Sequence, residues 1–525
     1  MSKKFYITTP LYYVNASPHI GHSYTNIAAD SIARFMRRLL GNDNVWLLTG
    51  TDEHGQKIQK AACEAGLSPK EFADKTVCQF KGLWEKLNIS YNDFIRTTED
   101  RHIKAVQKVL EILHKKGDIY QDKYEGWYCT PCETFWIESQ LTGQQGKNPS
   151  AGHLDPGDIS GEGSHKVCPD CKRQVEKITE INYFFKLKKY QPWLIKYIED
   201  NPDFIRPEIR RNEVLSFLKL NELTDLCISR PKARLSWGIP LPFSPEHVTY
   251  VWFDALINYI SAVGEFDSEG IYKSEIWPAD LHLIGKDILR QHAVYWPIML
   301  KALGIEIPKT VFAHGWWMVG ENKMSKSRGN VVSPLEMVDR FGIDVYRYFL
   351  LRDVRFGFDG NFSEEAIIKR FNSDLANDLG NLVYRTLTMI EKYYQGNVPV
   401  ECNIADSQGK KIQDKIEVLS SQVQSCLKAS TNYDFSLALE NVWELINMAN
   451  KYVEETKPWN LAKENKVEEL KSFIKLLVDV IRHSAFELSP FLPKTSELII
   501  EQIGNDVIKK GNPLFPRIEK KAHSG

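Results

Sequence analysis

The chain has 525 residues, 43% of them apolar and 26% charged, which is the balance of a soluble globular protein of about three domains and not of a disordered one. Lys plus Arg number 67 and Asp plus Glu 68, so any nucleic-acid surface has to be local and not global. The first residues lack a long apolar export segment and no apolar run reaches membrane-spanning length, so no membrane partner is expected.

Lys4 to Thr9 is β-branched and aromatic and reads as a buried strand. After "NASPHIGHSY", apolar residues recur at Ala28, Ile32, Phe35, Met36 and Leu39, a helical spacing that Gly41 closes. Asn44 to Gly50 reads as a second buried strand. Strand, turn, helix and strand form a βαβ unit, which favours a parallel sheet; no GxGxxG accompanies it. From Tyr120 to Lys232 the texture changes, with two CxxC pairs bracketing a Gly-rich polar segment that reads as a long insert. Strand and helix texture resumes in "HVTYVWFDALINYI", "LHLIGKDILRQHAVYWPIMLKALG" and "TVFAHGWWMVG". Beyond Ser363 the patterns are long and helical. The expected fold is therefore α/β, a parallel-sheet domain split by an insertion and followed by an all-α domain. The expected boundaries are 1–118, 119–232 (the insertion), 233–330, a linking segment 331–362, and 363–525 (the helical domain).

His19 and His22 lie three apart around Gly21, ahead of a helix. As metal ligands they would need a third partner. As a phosphate site they have imidazole NH donors, a glycine that permits close approach, and a helix N-terminus. Two ordinary surface histidines are the third reading. Lys323 and Lys326, in "ENKMSKSRGN", lie in a Ser/Gly-rich loop that can close over a polyphosphate, or they form a solvated basic loop. Cys129 and Cys132, then Cys168 and Cys171, form two CxxC knuckles suited to tetrahedral thiolate coordination of one structural zinc. His153 and His165 are competing ligands, and the nine cysteines with no export signal suit a reducing cytoplasm. Trp252, Ala255, Leu256 and Tyr259 share a helical spacing, as do Ile288, His292 and Trp296; stripes of this kind are core in most proteins. Asn377, Asn381 and Arg385 also share a face, by default a solvated one.

"TTPLYYVNASPHIGH", "GTDEHGQKI", "YVWFDALINY", "IGKDILRQHAVYWP" and "KMSKSRGN" resemble, in order, the patterns of class I aminoacyl-tRNA synthetases, and within them the methionyl-tRNA synthetase family. The resemblance runs through nearly the whole chain. It implies a Rossmann-like catalytic domain, a zinc-knuckle insertion and a helical anticodon-binding domain. It implies ligation of L-methionine to tRNA(Met), including the initiator tRNA, with ATP and magnesium, through methionyl-adenylate. Residue by residue it implies ATP contacts at His19, Gly21, His22, Gly285, Asp287, Lys323 and Lys326, with His19, His22, Lys323 and Lys326 stabilising the transferring phosphate. It implies a thioether pocket of Leu11, Tyr13, Trp252, Ala255, Leu256, Tyr259, Ile288, His292 and Trp296, with Asp52 on the ammonium. Leu256 is a departure, since some relatives carry proline there. Anticodon contacts are implied at Asn377, Asn381, Arg385 and Trp459. The chain ends soon after the helical run, without the appended dimerisation module of some relatives, so a monomer is expected.

Overall fold

The structure, a computed structural model, describes residues 4–129, 134–136, 138, 141–143, 166–169, 172–319, 322–323, 332–401 and 403–518. Its first strand, β1, runs Phe5–Tyr13, four residues beyond the expected end. Pro10 interrupts it without ending it. Proline has no N–H to give a ladder, and the register with the neighbouring strand shifts between Thr8 and Leu11. That neighbour, β2, runs Val45–Asp52, so that Tyr13 stands opposite Asp52 at the ends of both strands.

The main sheet has six parallel strands in the order Asp93–Arg96, β2, β1, Leu281–Gly285, Val311–His314 and Ile205–Arg206. β1 is flanked by β2 on one side and by a strand more than 200 residues later on the other. The winding reverses between β1 and Leu281–Gly285, and in open α/β sheets ligands bind beyond the carboxyl ends of the strands at that reversal. Helix α1, Ile20–Leu40, starts there and packs Ile27, Ala28, Ile32 and Phe35 on the sheet. Gly41, at φ 89°, caps its end, as the sequence suggests.

The insertion leaves as strand Ile119–Cys129 and returns antiparallel to it as Glu176–Phe185, with Ile119 opposite Phe185. The short strand Ile205–Arg206 already pairs with Val311 and Phe312 of the main sheet, within the segment 119–232. Beyond Pro334 helices dominate, the longest being Asn381–Tyr394, Ser407–Cys426, Phe435–Thr456 and Val467–Leu488. One hydrophobic core joins Ile27 of α1 to Phe349, Leu439 and Ile481 of these helices. A buried guanidinium fixes the join. Arg347, fully buried, ion-pairs with Asp30 of α1 at 2.8 Å and donates to the carbonyls of Leu87, Pro490 and Phe491.

Candidate active site

The carboxyl end of the sheet opens into a cavity of about 300 Å³. It is walled by Leu11 and Tyr13 from β1, Asp52 from β2, Gly285 at the end of the Leu281–Gly285 strand, and Asp287 just after it. His19, Gly21 and His22 line it from the turn into α1.

The two histidine rings stack with centroids 3.8 Å apart. The backbone N–H of Gly21 donates to His19 Nδ1 at 3.1 Å, and that of His19 donates to His22 Nδ1 at 3.2 Å. A backbone N–H can only donate, so both Nδ1 atoms accept, and in the neutral rings the proton sits on Nε2. The turn therefore fixes the tautomer in which each ring presents an Nε2–H donor. A Cβ on Gly21 would lie 3.0 Å from His19 Cε1, so glycine is what lets the ring fold back over its own helix start.

On the apolar side, Trp252, Ala255, Leu256, Tyr259, Ile288 and His292 all line the cavity. The first four come from two short helices, Val251–Leu256 and Asn258–Ser261, instead of the one continuous helix their spacing suggests. Because a carbonyl only accepts, His292 Nδ1–H donates to Ile288 O at 2.9 Å, leaving Nε2 to accept the Tyr259 hydroxyl at 2.7 Å. Burial pushes the His292 pKa down to about 4, against a smaller opposing effect of the Ile288 carbonyl, so the ring is neutral at physiological pH.

Trp296 is not among the residues that line the cavity. It is fully buried behind Tyr259, 5.8 Å between centroids, and its Nε1–H donates to His282 Nε2 at 3.2 Å. The cause is local. Ile288 ends a 3-10 turn and Gln291–Tyr295 is π-helical, so the intervening backbone does not keep the α-helical repeat that put Ile288, His292 and Trp296 on one face.

The side at Gly285 and Asp287 has a rim that sequence reasoning missed. Trp316 lines the cavity, its Nε1–H donating to Asp287 Oδ1 at 3.1 Å, with the Lys286 ammonium 4.1 Å from its ring centroid. His314 and Thr25 also line it and hydrogen-bond at 2.7 Å. The only sequence signal for these was the paired tryptophan in "AHGWWMVG". A Cβ on Gly285 would lie 2.7 Å from Asp287 Oδ1, so glycine is needed for that carboxylate to fold back against the strand end.

Comparison with known proteins explains the constellation. Residues 5–387 match the family described as tRNA synthetases class I (M). The chain belongs to the methionyl-tRNA synthetases of class I. Residues 415–521 match the anticodon-binding domain of tRNA ligases. Among curated relatives, the methionine–tRNA ligase of Caldanaerobacter subterraneus subsp. tengcongensis is 49% identical, over 99% of this chain and 80% of its own length. That of Bacillus subtilis is 45% identical over 98% and 78%. Among solved structures, Mycobacterium tuberculosis methionyl-tRNA synthetase in complex with methionyl-adenylate superposes with a TM-score of 0.89 at 38% identity, covering 98% of this chain and all of that one.

In this synthetase fold several of the remaining sequence-derived residues lie outside the described residues. Lys323 lies in the short strand Asn322–Lys323, paired with Trp317–Val319, while Lys326 lies outside the described residues. Cys129 and Cys168 are both fully buried in one small cluster with Val175, whereas Cys132, Cys171, His153 and His165 lie outside the described residues. Among the described residues no group of three or more His, Cys, Asp or Glu could hold a metal ion. Asn377 and Asn381 are exposed, Asn377 at a π-helical stretch Phe371–Gly380 and held by the Arg517 guanidinium at 2.5 Å; Arg385 pairs with Glu454 at 2.6 Å. Trp459, 42% exposed, stands in the first turn of helix Pro458–Lys463. Among the described residues no helix is long and apolar enough to cross a membrane.

Proposed function

We infer that the chain activates L-methionine with ATP and transfers it to the 3′ end of tRNA(Met), the initiator tRNA included. The observation that carries this is a cavity in which an aromatic, apolar wall meets the stacked His19–His22 pair at the sheet's switch point. The thioether of methionine suits Tyr13, Trp252 and Tyr259, since aromatic rings hold a polarisable sulfur well. The neutral His292 adds no charge to that wall. Asp52, at the end of β2, takes the ammonium, which leaves the methionine carboxylate directed at the phosphates.

The carboxylate attacks the α-phosphorus of ATP and pyrophosphate leaves; no side chain has to act as nucleophile. His19 and His22 donate from Nε2 to the phosphates, Lys323 and Lys326 neutralise charge on the leaving pyrophosphate, and magnesium accompanies ATP. Asp287, beside Gly285, accepts from the ribose hydroxyls, with Trp316 yielding its hydrogen bond there. A terminal ribose hydroxyl of tRNA then attacks the adenylate carbonyl, releasing AMP. Methionine-dependent ATP–pyrophosphate exchange tests the first half. Its absence with methionine, or equal rates with leucine and isoleucine, would refute the reading.

In the insertion, Cys129, Cys132, Cys168 and Cys171 are the residues that would hold one zinc. The supporting observation is that one cysteine of each knuckle is buried in the same cluster. A four-thiolate site is closed, so the metal acts on structure and not on chemistry. Cys171→Ala is expected to lose zinc by metal analysis while leaving the melting of the parallel-sheet domain unchanged. Full zinc in the variant would point to His153 or His165.

The helical domain reads the anticodon with Asn377, Asn381, Arg385 and Trp459. The exposure of Trp459 supports a base-stacking role. Trp459→Ala should leave exchange untouched and lower kcat/KM for tRNA charging at least several-fold, since one stacking platform is worth roughly 1–3 kcal/mol. Normal charging, or a collapsed melting transition, would each count against the assignment. The reading is of a cytoplasmic monomer. The exposed thiols of Cys63 and Cys78 suit a reducing compartment.

A further inference from the structure

Behind the cavity wall lies a chain of buried ionisable groups that the chemistry above does not use. Asp254, fully buried, accepts a contact from His54 Nδ1 on Oδ2 and one from His102 Nε2 on Oδ1, both at 2.7 Å. His102 Nδ1 in turn lies 2.9 Å from Ser261 Oγ. Burial pushes the Asp254 carboxyl up, but the two imidazoles more than offset it and hold it below the usual carboxylate range. None of the three residues lines the cavity.

The positions of the partners matter. His54 follows Asp52 by two residues at the end of β2, and Asp254 follows Trp252 by two in helix Val251–Leu256. His102 belongs to helix Asp100–Lys115, and Ser261 ends the helix that carries Tyr259. The His54–Asp254 contact is therefore a direct bridge between the segment presenting Asp52 and the segment presenting Trp252. The first of these segments is held independently as well. Glu53, between Asp52 and His54, is gripped by both arms of Arg96 and by Thr98 and Thr51, while Trp237 Nε1–H donates to its carbonyl. With that side rigid, the bridge sets where the helix of Trp252 stands relative to it.

We propose that His54, Asp254 and His102 are positioning residues for methionine, fixing the separation between Asp52, at the ammonium end of the substrate, and Trp252, at its thioether end. The proposal rests on the reading of Asp52 as the ammonium partner. A buried carboxylate between imidazoles is a poor way to gain stability, because well-packed apolar side chains do as well or better. It is a good way to fix geometry, since both oxygens have a directed partner on a different element. A misplacement of about 1 Å in a substrate-holding group can cost up to roughly a hundredfold.

The test compares methionine with its analogue lacking the α-amino group, 4-(methylsulfanyl)butanoate, as ligands of the full-length enzyme. Asp254→Asn should weaken methionine at least about tenfold, by KM in exchange and by equilibrium dialysis. The analogue, used as a competitor of exchange, should change less than about twofold, and KM for ATP should stay where it is. His102→Gln, whose amide can still donate to Asp254, should recover methionine affinity that His102→Leu loses. This pair carries the same comparison if Asp254→Asn fails to fold. Equal weakening of methionine and analogue would mean a general distortion and would overturn the proposal, as would unchanged methionine affinity in the folded variants. Asp52→Asn separates the two readings. If it leaves methionine affinity intact, the ammonium reading falls and the positioning role with it. If it weakens methionine while Asp254→Asn does not, only the positioning role falls.

Discussion

Lys326→Ala should lower kcat for ATP–pyrophosphate exchange by roughly 10²–10³-fold, while KM for methionine stays close to its original value. The asymmetry follows from where the charge is needed. A lysine over the triphosphate gains most as pyrophosphate departs, so its loss is felt in the transition state and little in the ground state. The wall proposed for methionine is a different set of residues, Leu11, Tyr13, Trp252, Tyr259 and His292, around the cavity. Lys326→Arg should recover only part of the rate, because the planar guanidinium is not interchangeable with a compact ammonium. A large rise in methionine KM with kcat unchanged would show that the loop serves the amino acid and not the phosphates.

The largest expected effect on stability is at Arg347. Arg347→Met removes the partner of a buried carboxylate, and breaking such a pair from one side costs about 3–5 kcal/mol. Burial would raise the Asp30 carboxyl; Arg347, Arg34 and Ser90 more than offset this and hold it below the usual carboxylate range. A lowered folded-state pKa contributes stability that is present above the ordinary carboxylate range and lost as the pH falls through the lowered value. Asp30 keeps its 2.8 Å contact with Arg34, so the loss should fall towards the lower end. The carbonyls of Leu87, Pro490 and Phe491 lose their donor at the same time. Thermal melting of Arg347→Met should begin several degrees lower, and adding Asp30→Asn should restore part of the loss. A melting curve unchanged from the parent would show that the pair is dispensable.

Much of this molecule could be read from its residues. The βαβ start, the Gly41 stop of α1, the split sheet and the helical end follow from periodicity and turn chemistry, which are local. The apolar side of the cavity followed from the family resemblance, and Trp252, Ala255, Leu256 and Tyr259 all line it even though Ile257 breaks their helix in two. What sequence could not show is the form that a departure from the α repeat takes ahead of a proline such as Pro297. The π-helical Gln291–Tyr295 turns Trp296 away from the wall that the resemblance implied for it. Nor could sequence pair His54 with Asp254, 200 positions apart, since nothing local in either segment names the other. Trp316 was missed for a simpler reason: a strand-like run before a loop gives no hint of which aromatic faces a ligand. The strand ends were read short at Tyr13 and Asp52, because Pro10 and Gly50 look like stops and the parallel ladder absorbs both.

The insertion departs and returns side by side, Ile119 opposite Phe185. Two chain ends already paired in a ladder need no particular length of polypeptide between them, and closing a longer loop costs little more than closing a shorter one. The length between the two strands of this stalk can therefore change at little cost in closure, provided that the stalk itself is kept.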